Sequence, residues 1–143
     1  MSSFIKVPFI EDAGLDQKGK PSPLPKPIIN ITLQYKHSRF LQTHALVDSG
    51  ADYNLLPGSW CKYLGINLTK GIEIPILGIG NRTPVIGYRH WGVRIKFEHI
   101  NIDTFGDFAM EQEIAILGNN GFFDRFQEIT FNRRKQYIKF MLI

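Results

Sequence analysis

The stretch Ala45-Leu46-Val47-Asp48-Ser49-Gly50-Ala51-Asp52 decides how the rest of the chain is interpreted. Three apolar residues, typical of the end of a buried strand, run directly into an acid, a small hydroxyl residue and a glycine. Asp-Ser-Gly is also common turn chemistry, because Asp and Ser bond their own backbone and Gly tolerates a positive φ. The tripeptide alone therefore favours a turn, and the surrounding sequence must decide between a turn and a site.

The length and composition of the chain indicate one globular domain. Its 143 residues can bury a sizeable core but are too few for two full lobes. No apolar run is long enough to cross a bilayer, and residues 1–7 lack the features of a signal peptide. The single cysteine, Cys61, permits no internal disulfide and fits a reducing compartment. We therefore expect a soluble, cytoplasmic protein without a membrane partner.

The basic character of the chain does not indicate nucleic-acid binding. The formal net charge is +4, but Arg133-Arg134-Lys135 is the single compact basic cluster. It lies between two strand-like runs, where a solvated hairpin turn is expected. We therefore expect no nucleic-acid partner and keep a basic nucleic-acid-binding hairpin as the weaker alternative.

The first third of the sequence reads as strands and an extended loop. Residues 4–10 predict a short strand, and the proline-rich residues 11–27 predict an extended surface loop. Apolar and polar residues alternate over 28–35, which is typical of a half-buried strand, and residues 40–47 return to deliver Asp48. We predict an N-terminal strand and loop in residues 1–27 and the main domain in residues 28–143.

The remaining sequence predicts further strands and two short helices. A helix is expected over 58–64 after Pro57, and a flexible glycine-bearing hairpin over 77–88. Asp103-Thr104-Phe105-Gly106 is interpreted as a turn, because no apolar run precedes it.

A second buried apolar run, Ile114-Ala115-Ile116-Leu117-Gly118, is the counterpart of the run before Asp48. Asn119 or Asn120 is expected to cap a short helix that follows it. Phe122, Phe123 and Phe126 would form its apolar face, and a closing hairpin spans the basic turn.

The order of these motifs resembles the retropepsin-like aspartic proteases. The resemblance rests on Asp48-Ser49-Gly50-Ala51-Asp52, the hairpin from Gly78 to Gly87, and Ile116-Leu117-Gly118-Asn119-Asn120. It extends over residues 28–143, and the tail after Gly118 is more similar to the cellular, prokaryotic members than to the viral ones. It implies an all-β, closed-barrel-like acid protease fold with one or two short helices, active as a homodimer.

The resemblance implies an aspartic endopeptidase that acts on peptide or protein substrates. Two carboxylates that share one proton would activate a water, and the family solution is one Asp48 from each subunit of the homodimer. Ser49 would lock the two catalytic loops together, and Gly50 would let backbone approach the water and substrate. No cofactor is implied, and no metal-ligand spacing of His, Cys and acids appears in the sequence.

The resemblance also implies a substrate site under a flap. The hairpin would close over an extended peptide and exclude water. The residues expected to bind substrate are Ala51, Asp52, Gly78, Ile79, Gly80 and Asn81.

One departure from the family pattern concerns Asn119. Family members usually carry Arg at this point, paired with the acid that follows the catalytic loop, which here is Asp52. The departure predicts a weaker dimer or an altered contact at the substrate end, unless a nearby Arg substitutes.

The alternative function is a non-catalytic module of the same fold that binds peptides or dimerises.

Overall fold

The computed structural model describes residues 3–78 and 83–143, which form an all-β fold with a few short helical turns. The strands of this part of the chain are β1 Phe4–Pro8, β2 Ile10–Asp12, β3 Leu24–Lys26, β4 Ile28–Tyr35, β5 Leu41–Val47, β6 Leu55–Pro57, β7 Ile72–Ile76, β8 Val85–Phe97, β9 Ile100–Ala109, β10 Ala115–Leu117, β11 Glu128–Asn132 and β12 Tyr137–Met141. The helical segments are α1 Cys61–Leu64 and 3-10 turns at Gly58–Trp60, Leu68–Lys70 and Phe123–Arg125.

A closed barrel forms the centre of the molecule. Its strands follow the order β4-β5-β10-β6-β9-β8, and pairing of β4 with β8 closes the ring. Strand β5 runs parallel to β10, with Val47 opposite Leu117. The chain therefore leaves both strands at the same edge of the barrel, and the loops after Val47 and Leu117 lie side by side. This closed all-β barrel confirms the predicted fold class.

The core is built by the alternation expected of half-buried strands. In β4, Ile29, Ile31 and Leu33 are buried, whereas Asn30 between them is exposed. An aromatic cluster then joins the barrel to a second sheet of order β1-β12-β11. The ring of Phe97 on β8 lies with its centroid 5.0 Å from that of Phe140 on β12. Packing of this aromatic cluster fixes the chain ends against the barrel.

The loop predicted over residues 11–27 is partly wrong, because its two ends pair as strands. Strand β2 pairs antiparallel with β3, and Lys26 Nζ lies 3.0 Å from Asp12 Oδ2. A two-stranded ribbon accepts the prolines of this segment, since each strand has an edge where no backbone N–H is needed.

The turn predicted at residues 103–106 is wrong, since these residues lie within β9. Gly106 is placed there by packing: a Cβ at this position would lie 2.5 Å from Leu56 Cδ1. Asp103 is placed there by a cross-strand pair with Arg94. Both residues are also common in turns, so the sequence pattern was misleading.

The two predicted helices differ in outcome. The helix before Gly65 is present as the 3-10 turn followed by α1, and Gly65 ends it with φ of 75°. The helix after Gly118 is reduced to the turn Phe123–Arg125, which neither Asn119 nor Asn120 caps. Their side chains bond the loop after β5 instead.

Candidate active site

Asp48 lies at the point where the chain leaves the barrel. Val47 before it is buried, Asp48 itself is half-buried, and Ser49 and Gly50 are exposed. The backbone N–H of Asp48 donates to the carbonyl of Leu117 at 3.0 Å, which continues the pairing of β5 with β10 by one residue. The backbone of Asp48 is therefore fixed to the paired strands, while its side chain is partly accessible to solvent.

The carboxylate of Asp48 is oriented by its own loop. The N–H of Gly50 donates to Asp48 Oδ1 at 2.8 Å, and the N–H of Ala51 donates to the Asp48 carbonyl at 3.2 Å. This is the Asp-based turn that the tripeptide alone favours. The turn and a site are thus compatible, because the turn fixes the direction of the acid.

Asn119 binds this loop from the neighbouring segment. Its Nδ2 donates to the carbonyls of Ser49 and Ala51, at 2.8 Å and 3.0 Å. Its backbone N–H also donates to the Ala51 carbonyl, at 2.9 Å. A residue interpreted from sequence as the loss of an arginine is thus part of the loop's hydrogen bonding.

The close approach of the two segments requires glycine at position 118. A Cβ on Gly118 would lie 2.8 Å from the carbonyl oxygen of Ala51 and 2.5 Å from that of Tyr53. The N–H of Gly118 donates to Oδ1 of Asn54 at 3.1 Å. Gly118 therefore ends the second apolar run because backbone occupies the space of a side chain.

Asn54 is a structural residue of the site that sequence reasoning missed. Its side chain is fully buried and spans two segments, since Oδ1 accepts from Gly118 and Nδ2 donates to the Phe105 carbonyl at 3.0 Å. A buried amide must satisfy both ends. The signal available in the sequence was a polar residue directly before the apolar run Leu55-Leu56-Pro57.

Asp52 is exposed, and its backbone carbonyl is held by Asn120. The N–H and Nδ2 of Asn120 donate to that carbonyl at 2.8 Å and 3.0 Å. Among the residues that the structure describes, no ion pair includes the carboxylate of Asp52. No arginine in residues 3–78 and 83–143 therefore pairs with Asp52 in the way that the sequence left open.

Arg89 lies beside Tyr53, which follows the loop of Asp48. Its Nε and Nη2 donate to the fully buried carboxylate of Asp107 at 2.7 Å and 2.9 Å, and this pairing raises the pKa of the Arg89 guanidinium. The Cζ of Arg89 lies 4.5 Å from the ring centroid of Tyr53 and 4.4 Å from that of Phe105. Sequence reasoning missed this pair, whose residues are 18 positions apart on different strands.

The glycine-bearing hairpin is formed by β7 and β8, with Ile76 opposite Val85. Gly78 is exposed where the chain leaves β7. Ile79, Gly80 and Asn81 lie outside the described residues. Leu77 and Ile86 expose 73% and 42% of their surfaces, so this end of the hairpin presents apolar side chains to solvent.

An open groove borders β5, the strand that leads to Asp48. Its volume is about 460 Å³, and its apolar lining includes Leu46, Trp60 and Ile114. Lys26 and His44 add polar groups to the same groove. A groove of this kind can take an apolar side chain of a peptide.

In residues 3–78 and 83–143, no group of three or more His, Cys, Asp or Glu side chains is placed to hold a metal ion. No helix in these ranges is long and apolar enough to span a membrane.

The comparisons with known proteins support the fold. No protein-family model and no curated protein matches the sequence. Among solved structures, the chain is similar to the crystal structure of a retropepsin-like aspartic protease from Rickettsia conorii. The identity is 14% and the TM-score 0.59, over 99% of this chain and 94% of that one. This likeness shows that the chain has a retropepsin-like fold.

Proposed function

We propose that the chain is an aspartic endopeptidase that hydrolyses peptide bonds as a homodimer. The observation that carries the proposal is the carboxylate of Asp48, half-buried and hydrogen-bonded to Gly50 N at the end of a barrel strand. In a retropepsin-like fold, an acid held in this way is the group expected to activate water. The loop beside it is exposed at Ser49 and Gly50, so a second copy of the chain can approach.

The chemistry requires two carboxylates, and each chain supplies one Asp48. Two carboxyl groups so close together cannot both be ionised, so the ionised one is the base and the protonated one is the acid. The ionised carboxylate takes a proton from the water as the water oxygen attacks the peptide carbonyl carbon. The protonated carboxyl donates its proton to the carbonyl oxygen, which gives a gem-diol intermediate. The carboxyl that gained the proton then donates it to the leaving nitrogen, and the other carboxylate takes a proton from a hydroxyl of the gem-diol. The C–N bond breaks as the carbonyl forms again, which restores one ionised and one protonated carboxyl.

Ser49 and Gly50 are proposed to complete the catalytic loop. Ser49 is exposed, so its hydroxyl can bond the partner loop across the twofold axis while Asn119 binds its backbone carbonyl. Gly50 has no side chain between its backbone and an approaching substrate. An isologous contact of this kind brings the same loop from both subunits together.

Ala51 and Asp52 are proposed to bind the peptide beside the dyad, and the β7–β8 hairpin is proposed as the flap. Gly78, Ile79, Gly80 and Asn81 would cover the bound peptide. The exposed Leu77 and Ile86 support this role, since apolar side chains at a hairpin end gain stability by covering a ligand or a partner flap. The groove beside Leu46 would take an apolar side chain of the substrate.

Substitution of the acid tests the proposal. Asp48→Asn should abolish cleavage of unstructured protein substrates at mildly acidic pH, while the fold and the unfolding midpoint stay close to wild type. Asp103→Asn, an exposed acid on β9, is the control and should keep full activity. Cleavage that survives in Asp48→Asn would exclude this mechanism. Peptide binding without any cleavage by the wild-type chain would favour the non-catalytic module.

A further inference from the structure

We propose that Asn119 is a positioning residue that holds the Asp48 carboxylate through the peptide group between Ser49 and Gly50. The inference rests on the proposed function, because it concerns the same acid. It assigns a role to a side chain that lies on the segment after β10, outside the catalytic loop.

The peptide group between Ser49 and Gly50 links the two side chains directly. Its oxygen is the Ser49 carbonyl, which accepts from Asn119 Nδ2 at 2.8 Å. Its N–H is that of Gly50, which donates to Asp48 Oδ1 at 2.8 Å. A peptide group is planar and rigid, so fixing the direction of its oxygen fixes the direction of its N–H. Asn119 therefore sets the donor that orients the acid.

A second hydrogen bond from Asn119 holds the backbone on the other side of Gly50 as well. Asn119 Nδ2 also donates to the Ala51 carbonyl at 3.0 Å, which lies on the other side of Gly50. Both acceptors are carbonyl oxygens, so the amide must present its NH₂ group to the loop. One side chain thus holds the backbone on both sides of an exposed glycine, the residue type with the greatest conformational freedom.

Backbone hydrogen bonds hold the segment that carries Asn119. Leu117, two residues earlier, belongs to β10, and its carbonyl accepts from the Asp48 N–H. The carbonyl of Asn119 accepts from the N–H of Asp124 at 3.1 Å. Its hydrogen bond to the Ala51 carbonyl is partly buried and so shielded from water, whereas the one to the Ser49 carbonyl is exposed.

Asn120 provides a matched comparison. It is the adjacent residue, and its Nδ2 also donates to a loop carbonyl, that of Asp52, at 3.0 Å. The peptide group that begins with this carbonyl continues to Tyr53 and does not bond Asp48. Loss of the Asn120 side chain therefore removes a similar hydrogen bond without releasing the Gly50 N–H.

Kinetics of three variants test the role. In Asn119→Ala and in the isosteric Asn119→Asp, which cannot donate, kcat should fall by about 10- to 100-fold, because misplacement of a reacting group has effects of this size. KM should stay within about twofold, since a loss confined to the transition state lowers kcat alone. Asn120→Ala should keep kcat within about threefold. An unchanged kcat in Asn119→Asp, or an equal loss in Asn120→Ala, would overturn the proposal.

Hydrogen exchange of the Gly50 amide provides a readout that does not depend on activity. In both Asn119 variants the Gly50 N–H should exchange about fivefold faster or more, the equivalent of one hydrogen bond. In Asn120→Ala its rate should equal that of wild type. If the wild-type chain shows no cleavage that depends on Asp48, the proposed function fails, yet the exchange rates still decide the role of Asn119. Equal Gly50 exchange in wild type and the Asn119 variants would overturn that role at any level of activity.

Discussion

The guanidinium of Arg89 donates two hydrogen bonds to the carboxylate of Asp107, which is fully buried. The pair joins β8, the strand that continues from the hairpin, to β9. The ring of Tyr53, which follows the loop of Asp48, lies 4.5 Å from the Arg89 Cζ. Strand β8, which continues from the hairpin, strand β9 and the candidate catalytic loop are therefore connected at one cation.

Arg89→Ala should destabilise the protein strongly. The substitution leaves the carboxylate of Asp107 buried without a counter-charge, which costs about 3 to 5 kcal/mol. Urea unfolding should show a lower midpoint with an unchanged slope. Arg94→Ala is the matched control, since Arg94 also lies on β8 and pairs with a β9 acid, Asp103, but both side chains are more than half exposed. Equal effects of the two substitutions would contradict the role assigned to burial.

The exposed pair of Arg94 and Asp103 should contribute little to the pH dependence of stability. The Arg94 hydrogen bond lowers the pKa of Asp103. Any stability from this pair is therefore present above the usual pKa of an aspartate and is lost as the pH falls through the lowered value. Because both groups are exposed, we expect the pH profile of Arg94→Ala to follow that of wild type closely. A clear difference at acidic pH would show that the pair is more than a surface contact.

Gly118→Ala should disturb both stability and activity. The added Cβ would collide with the carbonyls of Ala51 and Tyr53, so the two segments must separate. We expect a loss of about 2 kcal/mol, within the range for overpacked sites, together with loss of peptide cleavage. Gly19→Ala is the control: its φ of 78° strains the backbone, but a Cβ there meets open space. Retention of full cleavage in Gly118→Ala would contradict the tight contact of the two loops.

Cys61 should be unreactive in the folded protein. The side chain is 3% exposed, and burial raises the pKa of its thiol to about 12. The thiolate is the reactive form, so both access and ionisation are suppressed at pH 8. A thiol reagent should modify one group per chain in denaturant and almost none in the native protein. Fast modification of the native protein would show that α1 opens readily.

The sequence predicted those parts of the fold that depend on local patterns. The alternation of β4 and the two apolar runs before Asp48 and Gly118 follow from strand periodicity. The turn predicted at residues 103–106 is wrong because Gly106 packs closely against Leu56. The two residues lie on strands that are neighbours in the sheet but far apart in the sequence. Local residue preferences do not contain that information.

The candidate site shows the same division. Asp48 was found because the apolar run before it, the glycine-bearing hairpin and the second apolar run supply a context that its own tripeptide, common in turns, does not. Asn119 was interpreted as a candidate helix cap and as the absence of an arginine, since its bonds to Ser49 and Ala51 depend on β5 and β10 being neighbours. The Arg89 and Asp107 pair was missed for the same reason, because two strands must be paired before their side chains can be.

The central claim is that two copies of Asp48 form one site, and the stoichiometry of a transition-state inhibitor tests it most directly. A peptide with a hydroxyl-bearing isostere in place of the scissile bond should be titrated into the protein by calorimetry, with the mass followed by sedimentation equilibrium. We expect one inhibitor for two chains, a mass twice that of the 143-residue chain, and no binding to Asp48→Asn. One inhibitor bound to each monomer would contradict it.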